Sequence, residues 1–215
     1  MEIIIFGAPG VGKGTQAKII SAKLNIPHIS TGDILRDAIN RQTVMGLKAK
    51  EIVEKGELVP DDVVAGIVND VLQDPKCKKG FILDGFPRTL AQAEILQPIL
   101  QKLKILKPNI ISLDAEDNVI IERLSQRRLC TTCKNIVSNK EIIKENTCPK
   151  CGSVGTLIQR KDDDVEVIKR RVEVFHNSTA PVFEFYKSIA KVIIIDGTLP
   201  IKEVTEKLFQ ELGIN

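Results

Sequence analysis

Along the chain, short apolar runs rich in β-branched residues alternate with longer stretches in which apolar residues recur three and four positions apart. The runs Glu2 to Phe6, Pro27 to Ser30, Gly80 to Asp84, Asn109 to Asp114 and Lys191 to Asp196 predict five strands. The periodic stretches Lys13 to Leu24, Thr31 to Ile39, Asp61 to Gln73, Leu90 to Leu103, Glu116 to Arg128, Val165 to Val174 and Ile201 to Leu212 predict helices. Strand and helix in turn predict an α/β fold, a five-stranded parallel sheet with helices on both faces. Two stretches break the rhythm. Residues 30–59 are largely helical with no strand after the first residue, and residues 127–160 hold most of the cysteines. Both are expected to be insertions on one core made of residues 1–29, 60–126 and 161–215.

Composition narrows this picture. A chain of 215 residues has room for one such core with one or two small insertions, but not for a second domain of ordinary size. Charged residues make up 27% against 43% hydrophobic, the balance of a folded domain rather than a disordered one. A net charge of +3 is too small to predict a nucleic-acid partner, so any basic site must be local. No run of about 18 apolar residues is present to span a membrane. The N-terminal apolar stretch MEIIIFGAPG runs into glycines instead of forming a signal peptide, and a cytoplasmic location is expected.

Candidate chemistry begins where the first strand runs into GAPGVGKGT, residues 7–15, ahead of a helix. Gly7, Gly12 and Lys13 fit a phosphate-binding loop in the strand–loop–helix setting that the pattern requires. Glycines let backbone N–H groups turn toward phosphate oxygens, the helix N-terminus adds positive potential, and the lysine reaches the outer phosphates. Gly14 stands where the general pattern has Ser or Thr, and Thr15 follows it. The shift predicts a magnesium ion held mainly by phosphates and water.

Cys130 and Cys133, then fourteen intervening residues, then Cys148 and Cys151 have the spacing of a four-thiolate metal site. Zinc is the expected metal, with iron the alternative, and four protein ligands leave no open position for catalysis. The fifth cysteine, Cys77, is read as a plain thiol. A zinc-ribbon nucleic-acid module is a competing reading. Residues 129–152 carry four lysines, two glutamates and no aromatic residue, a poor surface for it.

Three further motifs follow the loop in order: STGDILR at 30–36, DGFPRT at 84–89 and QRKDD at 159–163. With them the chain resembles the adenylate kinases, which interconvert ATP plus AMP with two ADP; the resemblance runs from Met1 to about Leu212. The cysteine-bearing insertion is similar to the zinc-containing lid of many bacterial members. The resemblance implies a P-loop NTPase-like fold with a helical AMP-binding insertion at 30–59 and a small zinc lid at 127–160. It implies a monomer acting on ATP, AMP and ADP with Mg2+, with no nucleic acid or membrane partner. For ATP it implies contacts from Gly10, Val11, Gly12, Lys13, Gly14, Thr15, Arg123 and Arg127, and from the backbone at Ile136, Val137 and Leu199. Arg123 would lie near the adenine and Arg127 on the phosphates; four apart in the predicted helix 116–128, they would share one face. For AMP it implies Thr31 and Gln92 near the adenine, Arg36 and Arg88 on the phosphate, and the segments Glu57, Leu58, Val59 and Gly85, Phe86, Pro87. Arg160 and Arg171 would bridge to the transferred group.

Lys13, Arg88, Arg123, Arg160, Arg171 and Asp84 form the expected catalytic set, Asp84 by holding magnesium-bound water. Elementary electrostatics agrees, because two polyanions brought end to end need cations where charge spreads, and arginine grips phosphate oxygens in pairs. The AMP phosphate oxygen is already an anion, so in-line transfer needs no general base, and His28 and His176 are expected to be structural. Asp162 and Asp163 are read either as a hinge pair that orients arginines or as charges at the next helix N-terminus. A kinase acting on UMP or CMP is the alternative within the same enzyme class.

Overall fold

The computed structural model describes residues 1–214; Asn215, the last residue of the expected core, lies outside the described residues. Strand β1 (Glu2–Phe6) leads through the glycine loop into α1 (Lys13–Leu24), and β2 (His28–Ser30) runs directly into α2 (Thr31–Asn40). Helices α3 (Val44–Glu54) and α4 (Asp61–Leu72) precede β3 (Phe81–Asp84), α5 (Leu90–Lys102), β4 (Asn109–Asp114) and α6 (Asp117–Ser125). Three short strands follow: β5 (Arg127–Cys130), β6 (Ile136–Ser138) and β7 (Leu157–Ile158). The chain ends with α7 (Val165–Val174), α8 (Ala180–Lys187), β8 (Lys191–Asp196) and α9 (Ile201–Leu212).

The five expected strands form one parallel sheet in the order β2-β3-β1-β4-β8. The alternation of side chains across β1 sends Ile4 and Phe6 into a core shared with α4, α5 and α8, where Val68, Leu96 and Tyr186 are sealed from solvent. Ile3 and Ile5 point the other way, onto Ile20 of α1, Leu124 of α6, Ile168 of α7 and Leu208 of α9. Burying both faces is what the near-continuous apolar runs require. It also leaves the carboxyl ends of the strands as the open edge where ligands of such sheets bind.

Helix starts follow from short polar side chains. Ser30, at the end of β2, caps α2 by accepting from the Asp33 amide at 3.3 Å, and Thr89 caps α5 by accepting from the Gln92 amide at 3.1 Å. Asp164 does the same for α7 through the Glu166 amide at 3.1 Å.

Two expectations are corrected. The helix predicted over 116–128 ends at Ser125, and Arg127 and Arg128 belong to β5, where Arg127 pairs with Ser138 and Arg128 with Val137. The pattern admits the arginines to the helix, but hairpin pairing claims their backbone. Arg128 also turns back to cap the helix, donating to the Ser125 carbonyl at 3.1 Å. Arg123 and Arg127 therefore do not share a helix face. Second, the segment before β8 holds α8, which the periodicity did not reveal. Between α7 and α8 the chain makes a π turn, Phe175–Thr179, ahead of Pro181, whose ring and missing N–H interrupt regular helical bonding. Residues 127–160 contain a three-stranded antiparallel sheet, β6-β5-β7. No helix among the described residues is long and apolar enough to cross a membrane.

Candidate active site

The glycine loop closes around its own lysine. Lys13 Nζ donates to the carbonyls of Gly7 at 2.7 Å and Ala8 at 2.8 Å. Gly7 sits at φ 139°, and a Cβ there would come within 2.4 Å of the Leu113 carbonyl oxygen, so the loop can lie against β4 only without a side chain. Burial lowers the Lys13 ammonium to about pH 8 against the opposing attraction of Asp84, and the neighbouring Arg88, Arg171 and Arg127 lower it further.

Those neighbours belong to a dense cationic cluster. Arg160 feels Arg36 and Arg127, while Arg171 feels Arg127 and Arg88. Burial chiefly lowers Arg160 and Arg171 to about 10, so both remain cations at neutral pH. Two acids order the cluster. Asp163, fully buried, takes Arg127 through Nε at 2.8 Å and through Nη2 on its other oxygen, and Arg171 at 3.2 Å. Asp162 takes Arg171 at 3.1 Å and Arg36 at 3.7 Å. Burial pushes the Asp162 carboxyl up, but Arg171, Arg36, Arg127 and Arg160 outweigh it and hold it below the usual range. Of the two readings of this pair, the geometry supports orientation of arginines; the helix cap falls to Asp164. Among the described residues Arg160 Nε is buried without a partner, so the cluster keeps a donor that no protein group uses.

Asp84 ends β3 beside the loop, and one of its oxygens accepts from His28 Nε2 at 3.1 Å. A Cβ on Gly14 would stand 3.4 Å from that same oxygen, so the missing side chain keeps the approach to the carboxylate open, as a hydrated cation next to phosphates would need. Arg123 lies apart from the cluster. It donates to the carbonyls of Gly197 at 2.6 Å, Thr198 at 3.1 Å and Val11 at 3.4 Å, tying the loop to the turn that carries Leu199.

Across the sheet end, the DGFPRT segment is fixed from several sides. Thr31 Oγ1 donates to the Gly85 carbonyl at 2.8 Å, and Arg88 Nε reaches the same oxygen at 2.8 Å. Gly85 adopts φ 80°, with Thr31 Oγ1 only 3.0 Å from where a Cβ would be. Phe86, Pro87 and Val59 are buried, while Leu58 and Glu57 are partly exposed. Glu57 pairs with Arg170 of α7 at 2.6 Å, and Arg36 with Asp33 at 2.7 Å. The Arg88 carbonyl accepts from Thr179 Oγ1 at 3.1 Å, so the π turn reaches the site. His28, Asp61 and Thr179 are site residues that the sequence does not single out, because their partners lie far away in the chain; Asp33 is missed although its partner Arg36 is three residues on.

In the 127–160 sheet, Ile136 and Val137 pair across from Leu129 and Arg128. The four cysteine sulfurs lie within 4.8 Å of one another, with Cys130 to Cys151 at 3.7 Å and Cys133 to Cys148 at 3.8 Å. A tetrahedron with metal–sulfur bonds of about 2.3 Å has edges of about 3.8 Å, the spacing of these two pairs, so the four thiolates could hold zinc. Hydrogen bonding from Thr156 chiefly draws the Cys130 thiol down to about 6, while burial pushes Cys148 up to about 11. Lys18 of α1 donates to the Lys134 carbonyl at 3.4 Å, placing this sheet against the helix that follows the phosphate loop.

The model of the family described as "Adenylate kinase" matches residues 5–191. A protein from Kosmotoga olearia named "Adenylate kinase" is 48% identical over 214 residues, covering 99% of each chain. Proteins of the same name from Caldicellulosiruptor bescii and Methanocella arvoryzae are 44% and 47% identical, covering 100% and 95% of each chain. With a phosphate loop at the end of β1, an arginine cluster facing it and this likeness along its whole length, the chain belongs to the adenylate kinase family.

Proposed function

We propose that the protein reversibly transfers the terminal phosphoryl group of ATP to AMP, giving two ADP. The observation that carries this reading is the convergence of Lys13, Arg36, Arg88, Arg127, Arg160 and Arg171 at the open edge of the sheet, with the Arg160 Nε still lacking a partner. Such a concentration of cations is costly unless polyanions occupy it. On this reading, residues 10–15 wrap the ATP phosphates, Arg123 borders the adenine, and Arg127 with the lid backbone at Ile136 and Val137 covers the nucleotide. Arg36 and Arg88 hold the AMP phosphate, with Thr31, Gln92 and residues 57–59 around its base. Arg160 and Arg171 span the gap and meet the charge that spreads over the transferring group. Aligning the two phosphates is the main task, since the attacking oxygen is already anionic.

Magnesium bound to ATP would neutralise part of the phosphate charge, with Asp84 holding its water and His28 holding Asp84. Zinc on Cys130, Cys133, Cys148 and Cys151 would supply the folding energy that so small a sheet cannot gain by burial. Residues 30–59 and 127–160 would then act as an AMP-side unit and a lid on the core. Initial rates with AMP, GMP, UMP and CMP at equal concentration test the proposal. AMP is expected to lead by orders of magnitude; strong UMP turnover beside weak AMP turnover would end this reading.

A further inference from the structure

Gln92 is almost fully buried, 1% exposed, and both ends of its side-chain amide are occupied. Its Oε1 accepts from the Arg88 backbone amide at 2.7 Å, and its Nε2 donates to Asp61 Oδ1 at 2.8 Å. The two partners are chemically one-sided: a backbone N–H only donates and a carboxylate only accepts. Turning the amide over would set NH2 against N–H and carbonyl against carboxylate. The orientation of this glutamine is therefore fixed by its neighbours, a conclusion that holds however amide atoms are assigned.

One half of this arrangement is a local contact at the start of α5, with the Gln92 side chain reaching the amide just before the Thr89 cap. Thr89 accepts from the Gln92 amide while the Gln92 side chain reaches back along the chain, and a glutamate would serve as well. The other half is not. Asp61 opens α4, some thirty residues away in the chain, and a glutamate at 92 would face its charge.

We propose that Asp61 is a specificity-positioning residue that locks the Gln92 amide to read adenine and reject guanine. The inference rests on the AMP reading given above, with Gln92 near the base. Each end of the amide retains bonding capacity beyond the contact it makes: Oε1 a second lone pair, Nε2 a second hydrogen. An adenine edge offers an exocyclic N–H beside a ring nitrogen that accepts, the complement of this pair. A guanine edge offers a carbonyl beside a ring N–H, which demands the reverse orientation. With the amide locked, guanine leaves polar groups unpaired in a buried site, the situation that yields strong discrimination.

The test is Asp61→Asn, which keeps size and shape but can donate as well as accept, so of the two one-sided partners just the Arg88 N–H still opposes a turned amide. The AMP-over-GMP ratio of kcat/KM is expected to fall by about tenfold or more, while KM for ATP and the melting temperature stay near those of the parent protein. Asp61→Glu, which retains an acceptor, is expected to recover part of the ratio. A parent protein that prefers AMP, with an Asp61→Asn variant of unchanged AMP-over-GMP ratio, overturns the lock. A parent protein that does not prefer AMP overturns the functional reading itself, so the two failures are distinct.

Discussion

Lys13 shows how one side chain carries an environment into a rate. Its ammonium is lowered by burial from the ordinary 10.5 to about 8, so the folded protein disfavours the charged form that grips phosphate. In the sign convention of linkage, this destabilisation is fully present below pH 8 and is relieved as pH rises from 8 toward 10.5. Phosphate binding needs the cation, so kcat/KM for ATP is expected to hold level at neutral pH and fall with unit slope above pH 8. In the kcat profile the fall is expected at higher pH, since bound phosphate restores the charged form. A kcat/KM profile level to pH 9.5 would show the ammonium to be uncoupled from binding. Lys13→Ala is expected to lower turnover by about 100-fold or more with the fold intact, read by rate and circular dichroism together. Lys13 could be read from the sequence because glycine spacing and the helix behind it define the loop locally. Asp61, His28 and Thr179 could not, because each acts on a residue that only the tertiary fold brings near.

At the scale of elements, β1, β4, β8, α1, α7 and α9 run over the residues that periodicity predicts, because each buries a regular apolar pattern against the sheet. The misses share a physical cause: backbone pairing or proline geometry overrode a weak side-chain pattern. Helix α6 yields its last turn to the hairpin of β5 and β6, and α8 hides behind the π turn that Pro181 imposes. The small sheet β6-β5-β7 has few apolar residues and four cysteines to hold it, which sets its response to metal removal. Chelation, or Cys130→Ser, is expected to lower the melting temperature by several degrees while turnover at a mild temperature stays within a few-fold of normal. A zinc-free protein that melts unchanged but is inactive would instead give the metal a direct part in the reaction.

For the molecule as a whole, the arginine cluster makes the site a place of stored repulsion. Arg88, Arg160 and Arg171 are each disfavoured as cations by their own burial and by neighbouring guanidiniums. A ligand carrying phosphates at both ends of the site is therefore expected to stabilise the fold strongly. At a concentration about 100 times its dissociation constant the gain is about 2.7 kcal/mol, a melting shift of about 5–10 °C for a chain of this size. Thermal scans with a dinucleotide of two adenosines joined by five phosphates would measure it, and a shift below that of AMP alone would contradict a shared site. The small sheet that begins at Arg127 leaves and rejoins the core through strands that pair with one another, Leu129 with Ile158 and Cys130 with Leu157. Its entry and exit are thus fastened side by side, and Arg127 and Arg160 stand at those two roots. Everything between is a closed excursion, and the cysteines within it fasten that excursion to itself. The cysteines are then the most interchangeable part of the segment: another fastening could stand in their place without disturbing Arg127 or Arg160 at its roots.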